Sequence, residues 1–278
     1  MATLIDGVGA EDVVAEPFPY LVVRDALPEE RCARLISEFP PLDVVSLGRP
    51  MGSNRRYSMS APEALAAPEM PPVWRELIEQ HISQEFLDGL MRVFGDHIKR
   101  LYPTFEEDHA PLHALRVGVR RVESDSDVHL DAQISINTPV LEQPNSVREC
   151  HLDAPNKLFV GLFYLRTEDD DSTGGDLEIS RWRRDTPRGL RGRMAYRTFT
   201  EVIETVPYAR NTLILFVNSP LSLHGVTVRS RTKAPRLFLN LLGEVKSPLF
   251  TVDGFQASKL DKAIASPEII KRKLAAAR

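Results

Sequence analysis

Cysteine is scarce in this chain. Cys32 and Cys150 are the only two in 278 residues, and they lie far apart. That excludes a disulfide scaffold and fits a reducing compartment. Long apolar runs are missing too, and none approaches the ~20 residues a membrane span needs. The opening MATLIDGVGAEDVVAEP has neither the basic start nor the apolar stretch of an export signal. Positive charge is not in excess: 35 Lys and Arg against 39 Asp and Glu give −4, which argues against general affinity for nucleic-acid phosphates. These absences predict a soluble cytoplasmic protein with no nucleic-acid or membrane partner. What is present is ordinary for a globular protein, with 42% hydrophobic and 27% charged residues. The length suggests one large domain or two small ones.

Four regions follow from the patterning. Residues 1–16 read as a flexible acidic leader. Residues 17–112 read as a strand and helical support region. PFPYLVV is a short strand, and ALPEERCARLISEFP is a helix with Pro28 in its first turn. Residues 41–70, rich in Pro, Ser, Gly and Met, read as a long irregular connection. Apolar spacing from Val73 to Leu101 predicts one kinked helix or two in succession. From 113 to 245 the period changes to two. In VHLDAQISINTPV, Val128, Leu130, Ala132, Ile134 and Ile136 share one face, and His129, Asp131, Gln133, Ser135 and Asn137 the other. KLFVGLFYL is continuously apolar, as a strand buried on both faces is. Further short strands after a helical preface favour a mainly β fold, a sandwich or barrel with helices outside. Residues 246–278 read as a helical tail, with Ser266 as a cap and Pro267 at the first helical position.

Three side chains stand out as metal ligands: His151 and Asp153 in ECHLDAP, and His224 in LSLHGVTV. Residues i and i+2 of an extended segment point the same way, so His-x-Asp supplies two ligands and a neighbouring strand must bring the third. Two imidazoles and one carboxylate on one face of a metal leave positions open for cosubstrate and oxygen. By itself His-x-Asp is common. Here it is followed in order by KLFVGLFYL, the Gly174–Gly175 pair before DLEI, His224, and Arg236 in PRLFLNLL.

That ordered set resembles the 2-oxoglutarate and iron(II)-dependent dioxygenases, in particular their prolyl-4-hydroxylase-like branch, over roughly residues 17–245. The resemblance implies a double-stranded β-helix, or jelly-roll, buttressed by N-terminal helices. It implies His151, Asp153 and His224 as iron ligands, with Arg236 and Tyr164 binding the far carboxylate of 2-oxoglutarate. Asn137 falls where a polar residue contacting cosubstrate or substrate occurs. The spacing from His224 to Arg236 is slightly long for the branch, so Arg229 and Arg231 compete for the role of Arg236. The implied cofactors are Fe(II), 2-oxoglutarate and O2, with ascorbate in support. The implied reaction hydroxylates an unactivated C–H of a small-molecule, sugar, amino-acid or peptidyl substrate, releasing succinate and CO2. Asp153 fills the position that related halogenases leave to halide. The alternatives are a non-catalytic jelly-roll binding module and a cupin-like metalloenzyme that does not use 2-oxoglutarate. The oligomeric state is open.

Other polar residues compete less well. His129 and Asp131 form a second His-x-Asp, but no Tyr-Leu strand or Gly-Gly turn follows it. His81, His97, His109 and His113 read as structural or solvated, and Cys150 as a buried thiol pointing away from the metal. The acidic run from Glu168 to Asp171 reads as a solvated hairpin tip. RWRRDTPRGLRGRMAYR (181–197) holds seven arginines against one aspartate. Those arginines either meet an anionic substrate at the mouth of the site or pair with acidic neighbours on a sheet surface.

Overall fold

The computed structural model describes residues 3–270. Its centre is a major sheet of seven strands. The strands are β1 (Tyr20–Arg24), β2 (Arg56–Met59), β3 (Val117–Val119), β4 (Val128–Asn137), β5 (Lys157–Tyr164), β10 (Thr212–Val217) and β12 (Arg236–Val245). They run in the order β1-β10-β5-β12-β4-β2, with β3 alongside β4, and only the β3–β4 pairing is parallel. A smaller sheet joins β11 (His224–Val226), β6 (Leu177–Trp182) and β9 (Thr200–Val206) in that order. β7 (Leu190–Arg191) and β8 (Met194–Ala195) form a short hairpin.

Alternation along the strands sorts the side chains into two layers. Leu130, Ile134 and Ile136 of β4 and Leu239 and Leu241 of β12 face the helices and join the larger core. That core takes in Trp74, Leu77 and Ile78 of α4 (Pro72–His81) and Leu87, Leu90 and Phe94 of α5 (Gln84–Leu101). Val160, Leu162, Tyr164 and Phe238 point the other way, against Leu177 and Ile179 of the smaller sheet. β5 is therefore apolar on both faces because it is covered on both. The segment from Val73 to Leu101 is two helices, and the break is Ser83, whose hydroxyl caps α5 by accepting from the Phe86 N–H.

Several expectations need correction. Residues 3–16 are not a loose leader: Leu4 and Ile5 are buried in the larger core, and the Leu4 N–H donates to His81 Nε2 at 3.0 Å. The connection 41–70 holds α2 (Leu42–Val45), β2 and α3 (Ala61–Ala66), elements too short to show a period. Pro28 caps α1 (Glu29–Ser37) from outside it. α6 (Phe105–Asp108) closes the helical region. In the tail, Ser258 opens a helix the patterning does not show, α7 (Lys259–Ile264), its hydroxyl accepting from the Asp261 N–H, and Ser266 lies within the next helical turns rather than ahead of them. Helical turns follow at 266–270, and the rest of that expected helix lies outside the described residues. No helix among the described residues is long and apolar enough to cross a membrane.

Candidate metal and oxyanion site

The segment ECHLDAP runs beside β11 as an extended chain, and His151 and His224 pair across it. The His151 N–H donates to the His224 carbonyl at 2.8 Å, and the His224 N–H donates to the His151 carbonyl at 3.1 Å. Such an antiparallel pair sets its two side chains side by side, and the imidazole centroids are 4.2 Å apart. Gly225 permits this closeness, because a Cβ there would sit 2.9 Å from the Cys150 backbone nitrogen. Alternation then brings Asp153 to the His151 side. Cys150 and Leu152 turn to the opposite side and pack with Trp182, Leu190 and Leu223. Burial pushes the Cys150 thiol up to about 11, so it stays protonated away from the site.

His151, Asp153 and His224 each present a ligand atom within 4.8 Å of the others', and all three are buried. Each imidazole is oriented by its own backbone: Nδ1 lies 2.8 Å from the Glu149 carbonyl in His151 and 2.9 Å from the Ser222 carbonyl in His224. A carbonyl can only accept, so Nδ1 carries the proton and Nε2 keeps a lone pair for a metal. Burial lowers the pKa of both rings, which keeps them neutral. Asp153 experiences the opposite balance. Burial alone raises its pKa, but the Lys157 ammonium at 3.0 Å outweighs that and holds it well below the usual carboxylate range. Two neutral imidazoles and a carboxylate, with room beside them, match the donor set that iron(II) oxygenase chemistry needs.

The triad opens into a cavity of about 230 Å³ between the two sheets. Arg236, at the start of β12, lines it with the guanidinium held among Tyr164, Tyr208 and Phe238, 4.6, 4.8 and 5.1 Å from their ring centroids. Among the described residues its Nε and Nη2 are buried with no acceptor, and the Tyr164 hydroxyl is buried without a hydrogen-bond partner as well. Orphaned donors on a buried cation are costly. A carboxylate seated there would satisfy them. Asn137 lies opposite Arg236 in register, lines the same cavity, and has an unpartnered side-chain oxygen.

The competing residues are placed elsewhere. Arg229 is buried against Asp170 at 2.8 Å, and also bonds Ser172 and the Ala234 carbonyl. That pairing corrects the reading of the acidic run, since Asp170 is an interior ion-pair partner. Gly174 closes the same turn at φ +74°, where a Cβ would lie 1.9 Å from the Val228 carbonyl. Arg231 is exposed and donates to the Glu142 carbonyl. Asp131 accepts from the Ala61 N–H and from Gln133, and His129 lies 3.2 Å from the Ser124 hydroxyl, so neither joins the triad. The arginines of 181–197 do not line the cavity. Arg181 pairs with Glu201, Arg197 with Glu178, and Arg188 with Asp261 while stacking on Phe199. Sequence reasoning missed Arg56, Arg148 and Lys157, which do line it.

No protein-family model matches the chain, and no curated protein matches it in sequence. Solved structures do align with it. A Pseudomonas putida prolyl-4-hydroxylase aligns at 12% identity over 82% of this chain and 93% of its own, with a TM-score of 0.43. A putative 2OG-Fe(II) oxygenase family protein from Caulobacter crescentus aligns at 12% identity over 82% and 78%, with a TM-score of 0.45. HygX from Streptomyces hygroscopicus, solved with nickel and 2-oxoglutarate bound, aligns at 13% identity over 82% and 83%, with a TM-score of 0.40. The solved structures that this chain resembles include prolyl-4-hydroxylases and other 2OG-Fe(II) oxygenases.

Proposed function

We propose that this protein is an iron(II)- and 2-oxoglutarate-dependent oxygenase acting on an unactivated C–H bond, with hydroxylation as its outcome. The observation that carries the reading is the pairing, in one cavity, of a buried His-Asp-His set with buried donors on Arg236 and Tyr164 that lack acceptors. A binding module has no need of the first, and a metalloenzyme that uses no 2-oxoglutarate has no need of the second. The two sheets, with the site between them, are then read as a double-stranded β-helix.

Iron with 2-oxoglutarate and O2 supplies the oxidising power, giving succinate and CO2 as by-products. His151 and His224 would hold the metal through Nε2, and Asp153 through the carboxylate oxygen that Lys157 does not occupy. Arg236 and Tyr164 would hold the far carboxylate of the cosubstrate, the guanidinium as a charged fork and the phenol as a single donor. Asn137 would orient what lies between them. The apolar walls Val160, Leu162 and Leu177 keep water from the reacting centre. A screen of candidate substrates with iron and 2-oxoglutarate, read by mass spectrometry, tests the reading. It predicts a product heavier by 16 mass units together with succinate, and succinate that forms without iron contradicts it.

A further inference from the structure

The cavity holds more positive charge than the proposed reaction uses. Five cationic side chains line it: Arg56, Arg120, Arg148, Lys157 and Arg236. Three have assignments. Arg120 is bound to Glu244 at 2.8 Å and reaches Asp131 at 3.5 Å, Lys157 holds Asp153, and Arg236 faces the proposed carboxylate subsite. Arg56 and Arg148 are left. Among the described residues neither has an ion-pair partner, and the Arg148 Nε is buried with no acceptor.

Their positions bring them together. Arg56 opens β2 and is in register with Asn137, which is itself in register with Arg236, so the three lie side by side at one end of the major sheet. The Arg56 guanidinium stacks over Phe238 at 4.8 Å, while the residue as a whole is exposed. Arg148 comes from the chain just before His151. The Arg56 guanidinium is lowered to about 10, by desolvation first and then by Arg236 and Arg148, while the Asp153 carboxylate acts the other way. Arg148 is lowered by desolvation first, raised by the Asp153 carboxylate, and lowered by Arg193. Asp153 is already held by Lys157, so guanidinium groups crowded there without an ion pair of their own favour the entry of an anion.

We infer that the substrate is a small molecule bearing an oxyanion, carboxylate or phosphate, which is clamped between Arg56 and Arg148 above the His-Asp-His set. This rests on the proposed function and narrows it, because a neutral peptidyl segment would leave both cations without an ion-pair partner. Arg56 shares the Phe238 ring with Arg236, so the inference requires that the oxyanion bind while 2-oxoglutarate is present.

Calorimetric titration of the full chain, loaded anaerobically with Fe(II) and saturated with 2-oxoglutarate, tests the inference with inorganic phosphate and acetate as probes. Expected is saturable binding that weakens as salt rises, and that falls at least tenfold in Arg56→Gln and in Arg148→Gln. Arg148→Lys, which keeps the charge but not the fork, should fall in between and guards against a folding defect. Saturation by phosphate alone points to a phosphoryl-bearing substrate, and saturation by both probes to a carboxylate; either supports the clamp. No saturable binding of either probe, displacement of the probe by 2-oxoglutarate, or binding that the substitutions leave unchanged overturns it. Failure of 2-oxoglutarate itself to bind overturns the proposed function instead, and the probes are then scored on the metal-free protein.

Discussion

Lys157 Nζ lies 3.0 Å from Asp153 Oδ1, while Asp153 Oδ2 lies 3.4 Å from His224 Nε2. One carboxylate oxygen is thus held by a cation four residues along the chain, and the other is turned towards the imidazoles. Lys157 is a positioning residue for Asp153. Outer contacts of this kind are typically worth 10–100-fold in metal affinity. Lys157→Met should therefore weaken Fe(II) or Mn(II) binding by roughly tenfold or more, measured by competition with a chelator. An affinity within twofold of the parent would show that Asp153 orients itself.

Gly225 sets the distance between the two histidine-bearing segments. An alanine Cβ would meet the Cys150 backbone at 2.9–3.1 Å, which the backbone must relieve by moving apart. Gly225→Ala should destabilise the fold by about 1–3 kcal/mol. It should also weaken metal binding, since the reciprocal His151–His224 bonds lengthen. Unaltered denaturant midpoint and metal affinity together would remove this role from Gly225.

The Arg236 donors and the Tyr164 hydroxyl differ in strength. Losing a buried charged partner costs about 2–5 kcal/mol, so Arg236→Leu should raise the 2-oxoglutarate dissociation constant at least ~30-fold. One neutral hydrogen bond contributes about 0.5–1.5 kcal/mol, so Tyr164→Phe should raise it only ~2–12-fold. Calorimetry on the metal-loaded variants checks the order. A larger effect from Tyr164→Phe than from Arg236→Leu would reverse the assignment.

These residues were legible in the sequence to unequal degrees. His151, Asp153 and His224 sit on extended segments, where a period of two fixes which side chains point together. The same alternation places Asn137 and Gln133 on the cavity side of β4 and the aliphatic residues on the helical side. Arg56 gave no signal because β2 has four residues inside a stretch rich in turn formers. Arg148 and Lys157 flank the metal-ligand segment, but their direction is decided by tertiary packing that no local period encodes. The 181–197 arginines admit two readings in sequence for the converse reason: charge density is visible there, whereas the partners Glu178, Glu201 and Asp261 are set by the fold. Asp170 was obscured in the same way, since its partner Arg229 lies across a turn.

His81 links the N-terminal segment to α4 and makes stability depend on pH. It accepts from the Leu4 N–H at Nε2, and its Nδ1 donates to the Leu77 carbonyl at 2.7 Å. That arrangement requires the neutral ring, and burial lowers its pKa to about 4. Between about pH 4 and 6.5 the unfolded chain binds the proton and the folded chain does not, so stability rises with pH across that window. The contribution is complete above pH 6.5 and is lost as pH falls towards 4, amounting to roughly 3 kcal/mol. His81→Gln should flatten that part of the urea-midpoint profile, whatever its effect at pH 7. A slope equal to that of the parent protein would place the acid sensitivity elsewhere.

Succinate formation by the purified full-length protein, with and without Fe(II), tests the central claim most directly. The His-Asp-His set and the Arg236 subsite together predict slow succinate and CO2 release from 2-oxoglutarate in equal amounts, even before the substrate is known. That release should require Fe(II) and be abolished in Asp153→Ala. Succinate that appears without iron, or that persists in Asp153→Ala, would contradict the account, as would its absence from a protein that binds both Fe(II) and 2-oxoglutarate.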